Sequence, residues 1–139
     1  MTKTKRPGVD FMSLYDNKKW IGLLYVISES DLSYVFYFTI SQSERRQGYG
    51  SHVLQTVKEF YKNQRLCHAS EENDETAANY QQRVKRKEFY EKNGFPNLHC
   101  NLREGKVIYD MLGIGKRYTS SILFCFIQRY TFPIYDRIL

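Results

Sequence analysis

The chain has few of the residues that staple or break small folds: three cysteines, three prolines and one tryptophan among 139 residues. An odd cysteine count without a framework spacing gives no reason to expect disulfides and suits a reducing compartment. The dipeptides Cys67-His68 and His99-Cys100 invite a metal site. In a strand, however, neighbouring side chains point to opposite faces, so neither pair can easily aim both groups at one ion. No metal is expected, and these read as buried thiols and ordinary histidines, with His52 as surface or turn packing. No apolar run approaches the roughly 20 residues that span a bilayer. The start, Met1 to Gly8, carries positive charge with no apolar stretch behind it, unlike a secretory signal. A cytoplasmic location and no membrane partner are therefore expected. There is no internal repeat and no low-complexity linker.

What is present is a folded-protein composition, 42% hydrophobic and 16% aromatic, in a length that suits one domain over 1–139 burying about two-thirds of its unfolded surface. Lysine and arginine exceed aspartate and glutamate by 21 to 15, a net charge of +6. That excess favours anionic ligands, whether nucleic acid, acidic membranes or phosphate-bearing cofactors. The densest basic cluster, Arg83 to Lys87, reads as the solvated face of a helix, and no nucleic-acid partner is expected.

The element pattern is mixed. Asp10–Tyr15, Trp20–Ile27 and Ser33–Ile40 read as three strands joined by turns at 16–19 and 29–31, an antiparallel meander. From Ser51 the apolar residues Val53, Leu54, Val57, Phe60 and Tyr61 form one face of a helix. Arg65–Ser70 is a short strand. A second helix follows the acidic run Glu71–Thr76, with Ala77, Tyr80 and Val84 as its inward stripe and Asn93-Gly94-Phe95-Pro96 as its stop. Leu98–Leu102 and Lys106–Leu112 form a hairpin around Glu104-Gly105. The helical crossover from Ile40 to Arg65 makes one parallel pair in an otherwise antiparallel sheet. Residues 1–9 form a short arm, and the aromatic tail 116–139 is expected to pack on the sheet or on another chain.

The sharpest motif is Arg45-Arg46-Gln47-Gly48-Tyr49-Gly50, where strand gives way to helix. The first amides of a helix lack intrahelical partners and lie at the positive end of its dipole, so they favour an anion, and glycine lets the backbone come close. A P-loop would need Gly-Lys-Ser/Thr, which is absent. A dinucleotide fingerprint would need a third glycine where Val53 stands. A lone Gly-x-Gly is equally compatible with a tight strand-to-helix turn.

Arg45-x-x-Gly48-x-Gly50 five residues after Ile40, together with Phe89-Tyr90-Glu91-Lys92-Asn93-Gly94-Phe95, resembles the GNAT superfamily of acetyl-CoA-dependent N-acyltransferases, in a small bacterial-type form with a shortened N-terminus. The resemblance runs from about Asp10 to Leu112. It implies an α+β fold with a mixed, twisted central sheet flanked by helices, and acetyl transfer from acetyl-CoA directly to an amine. Arg45, Arg46, Gln47, Gly48, Tyr49, Gly50 and Ser51 would then hold the pyrophosphate, and backbone groups of Phe38, Thr39 and Ile40 the pantetheine. Asn79 is a further candidate for pantetheine, with Arg83 competing for that position. Tyr90 would protonate the departing thiolate. Glu71 would accept the amine proton, with Glu72 as its rival. Both acids also suit the positive end of the following helix. The elements that wall the acceptor site in the family have no counterpart in the first nine residues. A non-catalytic acyl-CoA-binding or assembly module is therefore the alternative reading, and a homodimer a further expectation.

Overall fold

A computed structural model describes residues 2–3 and 8–115 of the chain; the tail from 116, and its expected packing, lie outside the described residues. The elements in chain order are β1 (Thr2–Lys3), β2 (Val9–Asp16), β3 (Lys19–Glu29), β4 (Leu32–Ile40), a 3-10 turn (Gln42–Glu44), α1 (Tyr49–Phe60), β5 (Arg65–Glu71), α2 (Tyr80–Lys92), β6 (Asn97–Glu104) and β7 (Val107–Ile114). The seven strands make one sheet in the order β1-β2-β3-β4-β5-β7-β6. The expected α+β mixed sheet is what forms. Its meander is β2–β3–β4, its single parallel contact is β4 with β5, and β5, β7 and β6 pair antiparallel.

Two irregularities at β4 open the sheet. In the β3–β4 ladder Tyr25 lies opposite Tyr37 but Val26 opposite Val35, so Phe36 is an extra residue, a β-bulge. A bulge bends its strand and sharpens the local twist. The parallel ladder to β5 then contains only Leu32 with Arg65, Ser33 with Leu66 and Tyr34 with Cys67. Beyond Tyr34 and Cys67, β4 and β5 run on without pairing and open a gap between Val35–Ile40 and His68–Glu71.

Helices α1 and α2 lie on one face of the sheet, where Leu54, Val57 and Tyr61 from the α1 segment and Tyr90 and Phe95 from the α2 segment pack with Leu24, Val26, Val35, Leu66 and Leu112. Each such aliphatic side chain, fully buried, contributes about 1.5–3 kcal/mol. The other face carries Ile27, Leu32, Tyr34, Cys67, Leu102 and Met111. The first helix matches its periodicity but starts at Tyr49 rather than Ser51, which places Gly50 inside its first turn.

The second helix departs from expectation. It starts only at Tyr80, and its inward face is not Ala77–Tyr80–Val84 but Arg83, Lys87 and Tyr90, spaced i, i+4, i+7. Lys87 and Tyr90 are buried, so the basic cluster is not wholly a solvated face; only Lys85 and Arg86 are exposed. The reason is nonlocal. Lys87 Nζ pairs with Asp110 of β7, and Arg83 with Glu71 of β5. A buried cation needs such a partner, and no periodicity in the helix announces it.

Candidate active site

The site is built around the gap between β4 and β5. At its end stands the head of α1. Gly48 is the N-cap, in the left-handed region at φ 80°, ψ 2°, and no side chain caps the helix. The first helical bond is His52 N–H to the Gly48 carbonyl at 3.1 Å, so the amides of Tyr49, Gly50 and Ser51 precede the intrahelical ladder. The first turn holds no acidic residue, while Arg45 and Arg46 are exposed beside it. Arg45 Nε donates to the Ile40 carbonyl at 3.0 Å, tying the loop to the end of β4. Gln47 donates to Glu44 at 3.2 Å, and the Tyr49 hydroxyl to Asp16 at 2.7 Å.

The two glycines serve different ends. Gly48 meets the positive-φ requirement, since any other residue there would be strained. Gly50 has an ordinary φ, but a Cβ on it would lie 3.0 Å from the Phe89 ring. Its absent side chain lets α1 approach α2, a packing role that the sequence pattern does not separate from phosphate binding.

Phe38, Thr39 and Ile40 lie in β4 past the last β5 rung, paired on one edge with Leu24, Leu23 and Gly22 of β3. Their other edge has no strand beside it among the described residues. Across the gap, β5 ends at Glu71, whose carboxylate is 2.5 Å from Arg83. The same guanidinium donates to Asn79 Oδ1 at 2.8 Å and to the Glu72 carbonyl at 3.1 Å. Glu71, Glu72, Asn79 and Arg83 therefore form one cluster at the mouth, where Arg83 is the hub.

Tyr90 is buried, 4% exposed. Its ring stacks on His68 of β5, with centroids 4.2 Å apart and planes 17° apart, and meets Phe89 and Phe95 edge-on. Burial pushes its phenol well above the ordinary value, with Arg86 pulling the other way. His68 Nδ1 lies 2.9 Å from the Val35 carbonyl. In the sequence His68 reads as an ordinary histidine, since its contacts come from β4 and α2, far away in the chain.

A second concavity, about 260 Å³, lies between the other flank of α1 and the strands β2 and β3, lined by residues including Leu14, Ile21, Val53 and Val57. Its walls are largely apolar, and neither Glu71 nor Tyr90 reaches it. Among the described residues there is no group of three or more His, Cys, Asp or Glu that could hold a metal, and no helix long and apolar enough to cross a membrane.

A bulged strand, a half-open parallel pair and an uncapped glycine-led helix define a recognisable architecture, and the family comparison decides it: the sequence profile of the acetyltransferase (GNAT) domain matches residues 7–96. The chain belongs to the GNAT family. No curated protein matches it at the level of sequence. Among solved structures it is similar to a protein described as a GNAT-family acetyltransferase from Bacteroides thetaiotaomicron, with TM-score 0.62 and 17% identity, over 97% of this chain and 72% of that one. It is also similar to a GNAT-family acetyltransferase from Elizabethkingia anophelis with acetyl-CoA bound, with TM-score 0.58, 12% identity and coverage of 78% and 77%. A third is the PaiA N-acetyltransferase from Thermoplasma acidophilum in complex with coenzyme A, with TM-score 0.56, 13% identity and coverage of 77% and 62%. At these identities the structural likeness establishes the GNAT fold.

Proposed function

We propose that this GNAT protein transfers an acetyl group from acetyl-CoA directly to an amine, with no covalent enzyme intermediate. The observation that carries the reading is the β4–β5 gap, where no backbone rung joins the strands past Tyr34 and Cys67, with the uncapped head of α1 following the end of β4. A pyrophosphate on the amides of Gly48–Ser51, with Arg45, Arg46 and Gln47 beside it, leaves the pantetheine to run along the backbone of Phe38, Thr39 and Ile40 as an added strand. Asn79 and Arg83 border its path. The complexes of the Elizabethkingia and Thermoplasma proteins with acetyl-CoA and coenzyme A support the same ligand here.

The thioester then reaches the level of Tyr90, the proposed donor to the thiolate. Glu71 and Glu72 at the mouth bring negative charge to a chain that is basic overall, which suits a cationic amine on approach. Glu71, held by Arg83, is the carboxylate proposed to orient the amine and receive its proton through water. Cys67 and Cys100 are free thiols, in keeping with a cytoplasmic enzyme.

Calorimetric titration with acetyl-CoA, followed by thiol release with a panel of amines, tests the reading. Binding with amine-dependent release is the expected result. Tight binding with no release from any amine would instead support a non-catalytic acyl-CoA-binding module, and no binding at millimolar ligand would end both.

A further inference from the structure

We propose that His68, stacked on Tyr90 at the apex of the β4–β5 gap, is a catalytic residue whose Nε2 takes the proton from the acceptor nitrogen while Tyr90 gives its own to the thiolate. The proposal rests on the acetyl-transfer reading and goes beyond it: Glu71 receives the ammonium proton before attack, and the imidazole takes the second proton, released from the nitrogen once the C–N bond has formed.

The position comes first. His68 and Val35 are the first residues of β5 and β4 past the last backbone rung, Tyr34 with Cys67. At that point the His68 ring replaces the missing rung with its bond to the Val35 carbonyl. A carbonyl can only accept, so Nδ1 must carry the proton, and in the neutral ring Nε2 is then a bare acceptor. Among the described residues nothing donates to Nε2. The residue is half-buried rather than sealed off. Glu71, by contrast, already has its carboxylate on the Arg83 guanidinium.

The protonation state agrees with the geometry. Burial, reinforced by Arg86 and partly offset by the Val35 bond, lowers the His68 pKa to about 4. The ring is therefore neutral at pH 7 and available as an acceptor. The titratable and charged groups facing it are Tyr90 and Arg86 of α2; β4 presents the Val35 carbonyl, and β7 sets Leu112 opposite. So low a basicity suits only a late transfer. As the nitrogen lone pair forms the C–N bond and the C–S bond breaks, the nitrogen becomes that of an N-protonated amide, a far stronger acid than this imidazolium. The C–S electron pair leaves on sulfur, and the thiolate takes the Tyr90 proton. The products are the acetylated amine and coenzyme A thiol, with an imidazolium and a phenolate left on the enzyme. Those two ions stack face to face and attract each other. Proton exchange with water then restores both groups.

The test combines ¹⁵N NMR of the histidines with kinetics. In the free protein His68 should show a protonated Nδ1 and a bare Nε2, and saturating acetyl-CoA should move the Nε2 resonance while leaving Nδ1 in place. His68→Asn keeps an N–H to offer Val35 but has no Nε2. Its kcat should fall about 100-fold, with acetyl-CoA affinity within threefold of wild type. Thiol release by water serves as the readout if no amine is turned over. Combined with Tyr90→Phe, the two losses should be less than multiplicative, since the groups act as a pair. An unmoved Nε2 in protein that binds acetyl-CoA, kcat within threefold of wild type, or affinity falling in step with kcat would each overturn the role of His68 and leave the transferase reading intact. Absence of acetyl-CoA binding in the wild-type protein would remove both.

Discussion

The two halves of the β4–β5 pair are made by the same two strands and held in opposite ways. From Leu32 to Tyr34 the backbones are zipped to Arg65–Cys67, and the outer edge is fastened by Arg65, which bonds twice to Asp31 at 3.0 Å. From Val35 onwards no backbone rung joins them. There β5 is braced from the helix side: Tyr90 on His68, Arg83 on Glu71, and, one strand further, Lys87 on Asp110. A sheet can keep an open slot in this way. Among the described residues no strand lies beside Phe38–Ile40 on that edge, and helix side chains replace the rigidity that the missing ladder would have given.

The strongest way to break the open half is to remove one brace. Lys87→Met keeps the length of the side chain but leaves Asp110 with Asn101, at 2.8 Å, as its remaining side-chain partner. Breaking a buried pair from one side strands a charge, and the expected loss is about 3 kcal/mol of unfolding free energy, measured by urea denaturation. A loss under about 1 kcal/mol would mean that the helix face does not brace the sheet.

Chemistry at the open half should be more sensitive than its binding. Tyr90→Phe keeps the stack on His68 and removes only the hydroxyl, so kcat should fall about 10- to 100-fold while acetyl-CoA affinity stays unchanged. Full turnover at saturating substrate would end the donor role. Binding is set instead at the head of α1. Gly48→Val forces a β-branched residue into positive φ, costing about 1–2 kcal/mol, and should weaken acetyl-CoA binding about tenfold through the misaligned amides, read by calorimetry.

Much of this contrast was legible in the sequence, and what was missed has one physical origin. The α1 stripe, each strand of the meander and the Gly-rich junction are local patterns, each contained in about a dozen residues or fewer. The bulge at Phe36 is hidden because Tyr34–Phe38 is aromatic throughout except for Val35, so no alternation marks the extra residue. Arg83 and Lys87 read as solvent-facing because Glu71 and Asp110 are far from them in the chain or on another strand. His68 read as ordinary because its value lies in a carbonyl of β4 and a ring of α2. Periodicity reports which side of an element is apolar; it cannot report a polar side that has been paired.

The half-buried His68 also separates the halves by pH. Its folded pKa of about 4 lies below the ordinary 6.5, so the unfolded chain binds more protons between those values. The stabilisation is therefore fully present above pH 6.5 and is lost as the pH falls towards 4, with a slope approaching 1.4 kcal/mol per pH unit from this one group. Wild type should show this acid-side slope in urea midpoints, and His68→Asn should lack it. Equal slopes in the two proteins would mean that His68 titrates alike in both states.

The smallest effect belongs to the zipped half and serves as its control. Ser33 is fully buried; its hydroxyl donates to Gln64 and lies 2.7 Å from the Ser28 hydroxyl. Both partners are half-buried, so water can replace what Ser33→Ala removes, and the expected cost is about 1 kcal/mol. Because Ser33 lies on the paired side of Tyr34, the same substitution should leave acetyl-CoA affinity and turnover within twofold of wild type. If affinity instead drops with stability, the closed rungs and the open slot are one mechanical unit, and the division of labour between backbone and side-chain bracing fails at its root.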